Sequence, residues 1–334
     1  MPGALTPKEI QELRQKNYNS TLIYLHKAQA DLAILRVKPD SPLQPHKPGQ
    51  YTTLGLGYWE PRFPGCQEEH LEPGSETKMV RRSYSICHPV LDDSGRLFPL
   101  GPPRWLEFYV VLVRQSDKPE APALTPRLFM MREGERLHMG ERITGHYTLD
   151  QVKPTDTVLF LSTGTGEAPH NYMLWELLGR GHQGAIVSAC CVRYKIDLAY
   201  RDTYAKVVEQ YPNVKYITLT TREKETINQK VYIQDLISSG ELEERMGRTL
   251  DPQHTHVYLC GNPKMIGVPE VNRETGAKTY PRPTGVIEIL EKRGFQSDVQ
   301  KLKLKGNIHF EEYWYLSALC GSGANRRPAC WSIL

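Results

Sequence analysis

Long apolar runs are missing from this 334-residue chain; none approaches the roughly 18 residues that a membrane-spanning helix requires, so a membrane span is not expected. The opening residues, MPGALTPKEIQELRQKN, lack the apolar core of a signal peptide and read as a polar arm or short helix, which makes the cytoplasm the default compartment. Cysteine is sparse, scattered and odd in number: seven residues, with Cys190 and Cys191 adjacent, no C-x-x-C pair and no iron–sulfur cluster spacing. This argues against a fused cluster domain and for reduced thiols, and no resident metal is expected. A strong charge of one sign is absent too. Lys and Arg total 42 against 38 Asp and Glu, a net +4 that is too weak and dispersed to imply nucleic acid, although it permits an acidic partner.

The length is enough for two domains of about 100 to 200 residues each. Between about Thr21 and Leu56, short β-rich runs (TLIYLHKAQ, ADLAILRV, PHKPGQYTTLGL) alternate with turn signals such as Pro48-Gly49, as in an antiparallel sheet or barrel. Gly57 to Lys78 has no periodicity and reads as a surface loop. The chain is organised around Val158–His170, VLFLSTGTGEAPH: an aliphatic strand, a turn of small residues, then Pro169 in the first turn of a helix. Gly164 and Gly166 would let a phosphate approach the main chain at a helix N-terminus, or they are simply needed for packing. The run is G-x-G-x-x-P, without the third Gly of the dinucleotide fingerprint, and by itself leaves both readings open. Beyond it, the strand-like runs Ala185–Val192, Thr203–Tyr211, Val214–Thr220 and His256–Gly261 alternate with helical patterns, which indicates a parallel α/β sheet.

Arg82-Ser83-Tyr84-Ser85 resembles the Arg-x-Tyr-Ser flavin signature of the ferredoxin:NADP reductases. Several other segments are similar to family motifs and follow in family order. Ala123-Leu124-Thr125-Pro126-Arg127-Leu128 is similar to the segment that closes over the flavin phosphates, and Gly145–Leu149 to the strand that ends the barrel. Arg193-Tyr194, Thr221-Arg222-Glu223, Cys260-Gly261-Asn262-Pro263 and Glu311-Glu312-Tyr313-Trp314 continue the series. The resemblance spans about Tyr24 to Trp314. It implies a two-domain fold, an antiparallel FAD-binding β-barrel followed by a parallel-sheet NADP-binding α/β domain. The expected boundaries are an arm at 1–20, the barrel at 21–152, the nucleotide domain at 153–314 with Lys153–Asp156 as linker, and an extension at 315–334.

The resemblance also implies roles. For FAD these are Arg82 on the pyrophosphate, Ser83, Tyr84 against the isoalloxazine, Ser85 at the flavin N5, Thr125 at the phosphates, Tyr313 over the second flavin face and Trp314 on the adenine. For NADP they are Gly164, Thr165 and Gly166 on the pyrophosphate, and Cys260 beside the nicotinamide. Arg193, Thr221, Arg222, Lys230 and Tyr232 would recognise the phosphorylated ribose and adenine, a set suited to a 2'-phosphate. Ser85, Cys260, Glu311 and Tyr313 would form the catalytic set, with Glu311 handling protons. The implied activity is hydride transfer between NADP(H) and flavin, with single electrons passed to or from ferredoxin or flavodoxin. The alternatives are the NAD(P)H-oxidising reductase of an oxygenase, a diaphorase, or a non-catalytic flavin subunit of a larger complex. Glu167 and His170 depart from the family pattern, and Glu167 would repel a bound phosphate unless its side chain turns away. Tyr315–Leu334 extends past the usual family end and would slow nicotinamide entry if it folded over the flavin. Lys301-Leu302-Lys303-Leu304-Lys305 reads as an edge strand guarded by lysines or as a patch for an acidic redox protein.

Overall fold

The computed structural model describes residues 5–116, 119–272, 274–299 and 304–312. These form two compact units, one built from the chain up to Cys87 and from Gly101–Gly145, the other from His88–Leu100 and from His146 onward.

The first unit begins with helix α1 (Pro7–Asn17), started by Thr6 and Glu9, whose side chains and backbones cap each other, and by Pro7 at the first position. Strands β1 (Ser20–Gln29), β2 (Leu32–Pro39), β3 (Tyr51–Gly57), β4 (Met79–Ser85) and β5 (Leu106–Val111) follow. Helix α2 (Thr125–Leu128) and strand β6 (Arg136–Met139) complete the unit. All pairings are antiparallel, in the order β4-β3-β6-β1-β2-β5. The ring is closed where Cys87, just past β4, donates its N–H to Glu107 of β5 at 2.8 Å. Closure removes the free edges, and Leu22, Leu35, Leu54, Phe108 and Leu137 fill the interior.

The second unit holds β7 (Thr157–Thr163), α3 (Glu167–Gly179), β8 (Ile186–Val192), α4 (Arg201–Gln210) and β9 (Val214–Thr220). Helices α5 (Ile233–Ser238) and α6 (Glu241–Met246), strand β10 (Thr255–Gly261) and helix α7 (Pro263–Ile266) come next. The hairpin β11 (Glu270–Val271) and β12 (Lys278–Thr279), helix α8 (Val286–Glu291) and strand β13 (Ile308–Glu312) end the described chain. The five long strands are parallel in the order β13-β10-β7-β8-β9. β7 and β8 are buried almost throughout, as central parallel strands covered on both faces must be. The two-domain β plus α/β class is thus observed.

Two expected strands are not strands. Thr203–Tyr211 lies largely in α4: Tyr204 and Val207 are buried at a helical spacing of three while Asp202, Lys206 and Glu209 face solvent, so amphipathic period overrides the β-branched valines. Gly145–Leu149 carries no strand either. Only Thr144 bridges to Tyr51; Gly145 then turns the chain at φ +132°, and Tyr147 and Leu149 are buried in the second unit. Lys153–Asp156 is a closed turn, with the Lys153 N–H on the Asp156 carboxylate at 2.8 Å and the Asp156 N–H on the Lys153 carbonyl at 3.1 Å. Of the Lys-Leu repeat, Leu304 and Lys305 are exposed; residues 301–303 lie outside the described residues.

Candidate functional site

In the first unit, strand alternation on β4 puts Val80, Arg82 and Tyr84 on one side and Arg81, Ser83 and Ser85 on the other. Tyr84 is 4% exposed and stands edge-on to Phe108, with ring centroids 6.4 Å apart. Its hydroxyl is buried with no hydrogen-bond partner among the described residues. Burial pushes this phenol up, and the charge of Arg82, whose Nη1 donates to the Arg81 carbonyl at 2.8 Å, acts against that rise. A buried hydroxyl without a partner costs about 1–3 kcal/mol, so it marks a place where a polar ligand atom is wanted. Ser85 is buried and pairs in register with Tyr51. Thr125 opens α2, and its hydroxyl accepts from the Val113 N–H at 3.0 Å, tying the helix to the end of β5.

In the second unit, β7 is continued by a single 3-10 turn, Gly164–Gly166, directly into α3. The two glycines are required for different reasons. Gly164 has φ +54° and faces open space, whereas a Cβ on Gly166 would lie 2.3 Å from the Cys260 carbonyl oxygen. The end of β10 therefore locks against the turn. The Asn262 N–H donates to the Thr163 hydroxyl at 2.7 Å, and Gly261, at φ +126°, leaves no room for a side chain beside Thr163. In register, Cys260 of β10 sits between Ser162 of β7 and Glu311 of β13. From β7 the chain runs to β8 and β9 on one side and later places β10 on the other. The carboxyl ends of β7 and β10 are thus the point where strand order reverses, the crevice in which open α/β sheets bind ligands.

Residues 160–270 match the family model of the oxidoreductase NAD-binding domain. The chain is 28% identical over 235 residues to the flavodoxin/ferredoxin–NADP reductase of Escherichia coli (strain K12), covering 70% of this chain and 81% of the relative. To the enzyme of the same name from Buchnera aphidicola subsp. Schizaphis graminum it is 25% identical over 299 residues, 89% of this chain and 98% of the relative. The chain is thus similar to the ferredoxin–NADP reductases over most of its length. In fold, the chain is similar to the Neisseria gonorrhoeae ferredoxin NADP+ reductase solved with bound FAD and NADP, at a TM-score of 0.62 and 19% identity, over 88% of this chain and 97% of that one.

Two arginines gather where β8 and β9 end. The Thr221 N–H donates to the Val192 and Arg193 carbonyls, the Arg222 N–H to the Arg193 carbonyl at 2.8 Å, and the Thr221 hydroxyl to Val192. Arg193, Thr221 and Arg222 are therefore brought together, with both arginines exposed. Arg193 lies 3.8 Å from the Asp197 carboxylate. Lys230 and Tyr232 are exposed on the approach to α5, where the Tyr232 N–H is held by Asp235 at 2.9 Å. Thr165 is half-buried in the turn. Glu311 and Glu312 close β13; burial pushes the Glu312 carboxyl up to about 7. Tyr313, Trp314 and the extension Tyr315–Leu334 lie outside the described residues.

Glu167 and His170 both point into the protein. The Glu167 carboxylate accepts from the Tyr216 hydroxyl at 2.8 Å and is 1% exposed, turned away from the open side of the glycine turn. Neutral His170 is shared between the Tyr147 hydroxyl, 2.7 Å from its Nε2, and the face of Phe160, and burial pushes its pKa down to about 3. The partners of Glu167 escape sequence reading because Tyr216 is 49 residues away and on another strand. The stack of His88 on Tyr172 (centroids 4.9 Å, 14°) escapes it too, since it joins the His88–Leu100 segment to α3 with no local signal.

Proposed function

We propose that this chain is an FAD-dependent reductase that exchanges hydride with NADP(H) and single electrons with a ferredoxin or flavodoxin. The observation that carries this is the Gly164–Gly166 turn at the strand-order reversal, with Cys260 and Glu311 in register beside it. The relatives bearing the reductase name support it.

The residues present fit FAD, because the unpartnered Tyr84 hydroxyl and the Arg82 guanidinium share one side of β4. Arg82 forks the pyrophosphate, Tyr84 gains a partner for its hydroxyl, and Ser83 and Ser85 supply hydroxyls on the other side of the strand. Thr125 already accepts from Val113 and can donate its proton to a phosphate oxygen. Tyr313 and Trp314 complete the flavin site by family resemblance. When bound, the flavin supplies the redox chemistry, linking two-electron to one-electron transfer. Gly164, Thr165 and Gly166 receive the nucleotide pyrophosphate, Cys260 shapes the nicotinamide position, and Glu311 holds a proton at its carboxylate. Arg193, Thr221, Arg222, Lys230 and Tyr232 select the phosphorylated ribose. Residues 21–152 and 153–314 serve as the flavin and nucleotide domains. A reducing, cytoplasmic setting suits the described cysteines, none of which forms a disulfide.

Free NADPH added anaerobically to the purified yellow protein should bleach its flavin absorbance. A flavin that stays oxidised would overturn the reading in favour of a non-catalytic subunit. Rates with ferredoxin, flavodoxin and cytochrome measured in parallel should favour the first two, and equal diaphorase-like rates with all acceptors would count against the partner assignment.

A further inference from the structure

A buried carboxylate directly follows the glycine turn. Glu167, first residue of α3, is 1% exposed, and among the described residues its hydrogen-bond partner is the Tyr216 hydroxyl of β9, at 2.8 Å. Tyr216 is stacked on Tyr204 of α4, with centroids 3.9 Å apart and planes 8° from parallel. Tyr204 donates to Asn171 Oδ1 of α3 at 3.0 Å, which brings the network back to the helix where it began. The Cys190 thiol of β8 lies on the same side, 4.0 Å from the Gly164 carbonyl oxygen. The glycine turn is thereby clamped to β8, β9 and α4, and five residues beyond Tyr216 the chain reaches Thr221, followed by Arg222.

The groups facing Glu167 are all neutral or acidic. They are Tyr216 from β9 and Cys190 from β8, with Tyr204 from α4 behind Tyr216 and Asn171 on its own helix. His170, three residues along, is turned to Tyr147 and Phe160. Among the described residues no cation acts on the Glu167 carboxyl, which burial pushes up to about 7 against the pull of the Tyr216 hydrogen bond. The Cys190 thiol is likewise pushed up, by burial first and by the Glu167 charge second. The inward turn of the side chain keeps Glu167 out of contact with a bound anion, but a carboxylate so buried is little screened by water, so its charge still opposes a second anion bound at the adjoining turn.

We infer that Glu167 is a positioning residue that couples nucleotide binding at the glycine turn to proton uptake. This rests on the reading of Gly164–Gly166 as the pyrophosphate site. The ionised side chain opposes a bound pyrophosphate and the protonated one does not, so nucleotide is held more tightly when Glu167 carries its proton. By linkage, bound nucleotide raises the proton affinity of Glu167 by the same factor, and the proton is drawn from buffer. Protonation also leaves Tyr216 paired, since a carboxylic acid retains an acceptor oxygen, so the clamp survives in both states.

The test measures the Kd of NADP+ by calorimetry from pH 6 to 8, in buffers of different ionisation enthalpy, on the wild-type holoprotein, Glu167→Gln and Tyr216→Phe. The 2'-phosphate of the nucleotide titrates in this range too, but identically for all three proteins, so the differences isolate Glu167. Relative to Glu167→Gln, the wild type should lose about fivefold in affinity between pH 6 and pH 8 and take up a fraction of a proton near pH 7 that the variant does not. Tyr216→Phe removes the hydrogen bond that favours the ionised form and should move the midpoint to higher pH. Coincident pH profiles and equal proton uptake in wild type and Glu167→Gln would overturn the inference while leaving the nucleotide site intact. Absence of saturable NADP+ binding by the wild type would overturn the site reading and this inference with it.

Discussion

Two single side chains separate ligand recognition from structural support. Arg222 is exposed, and the bond that fixes it runs from its backbone to Arg193, so its guanidinium contributes little to the fold. Arg222→Ala should leave stability unchanged and raise KM for NADPH about tenfold while moving KM for NADH little, the size expected for a lost charge-assisted hydrogen bond to phosphate. Equal effects on both nucleotides, measured in steady-state assays, would sink the assignment. Tyr84 is the opposite case. Tyr84→Phe keeps the ring against Phe108 and removes a buried hydroxyl that has no partner among the described residues. The flavin-free protein should gain about 1 kcal/mol in urea unfolding while flavin retention weakens, a pairing of outcomes that a purely structural tyrosine would not give. The Arg82-Tyr84 pair was legible in sequence because strand alternation alone places both on one side. The unpartnered hydroxyl was not, because it depends on Phe108 from another strand.

Elements were readable where one periodicity dominated. β3, β7 and β8 coincide closely with the apolar runs that mark them, since a buried strand leaves little room for polar interruption. α4 was misread because Val207 and Val208 suggest a strand, although Tyr204 and Val207 already fall on one helical face. The turn between β7 and α3 was visible as a motif, but the distinct duties of its glycines were not. That distinction gives a prediction. Gly164→Ala adds a Cβ in open space to a residue at φ +54° and should cost about 1–2 kcal/mol. Gly166→Ala drives a Cβ to within 2.3 Å of a backbone carbonyl that cannot swing aside, and should cost about 3 kcal/mol or more. Chemical denaturation of the two variants should reproduce that order. The reverse order would mean that the end of β10 does not lock the turn.

Across the whole molecule, buried groups of opposite kinds set the dependence of stability on pH. His170 and His256 are kept neutral by burial, down to about 3 and about 4, while unfolded imidazoles take protons near 6.5. They oppose folding increasingly as pH falls below 6.5. Glu167 and Glu312 hold their protons up to about 7 in the folded protein and release them near 4.5 once unfolded. They oppose folding increasingly as pH rises from 4.5 to 7. Between about pH 4.5 and 6.5 the unfolded chain has gained two protons on His170 and His256 and lost two from Glu167 and Glu312, so these four groups cancel, and the rise of stability with pH that remains comes from His46, His138 and His182, which burial also holds below the usual imidazole range. Below about 4.5 Glu167 and Glu312 are protonated in both states and no longer offset the histidines, which act at about 1.4 kcal/mol per pH unit each. Asp40 and Glu291 steepen this limb, because their hydrogen-bonded carboxylates are held below the usual range and are lost in acid. Glu167→Gln removes one of the two opposing carboxyls. Between pH 4.5 and 6.5 the variant's stability should rise with pH more steeply than the wild type's, by about 1.4 kcal/mol per unit. Urea unfolding followed by tryptophan fluorescence at half-unit pH steps measures both slopes, and parallel profiles would show that Glu167 does not hold its proton in the folded protein.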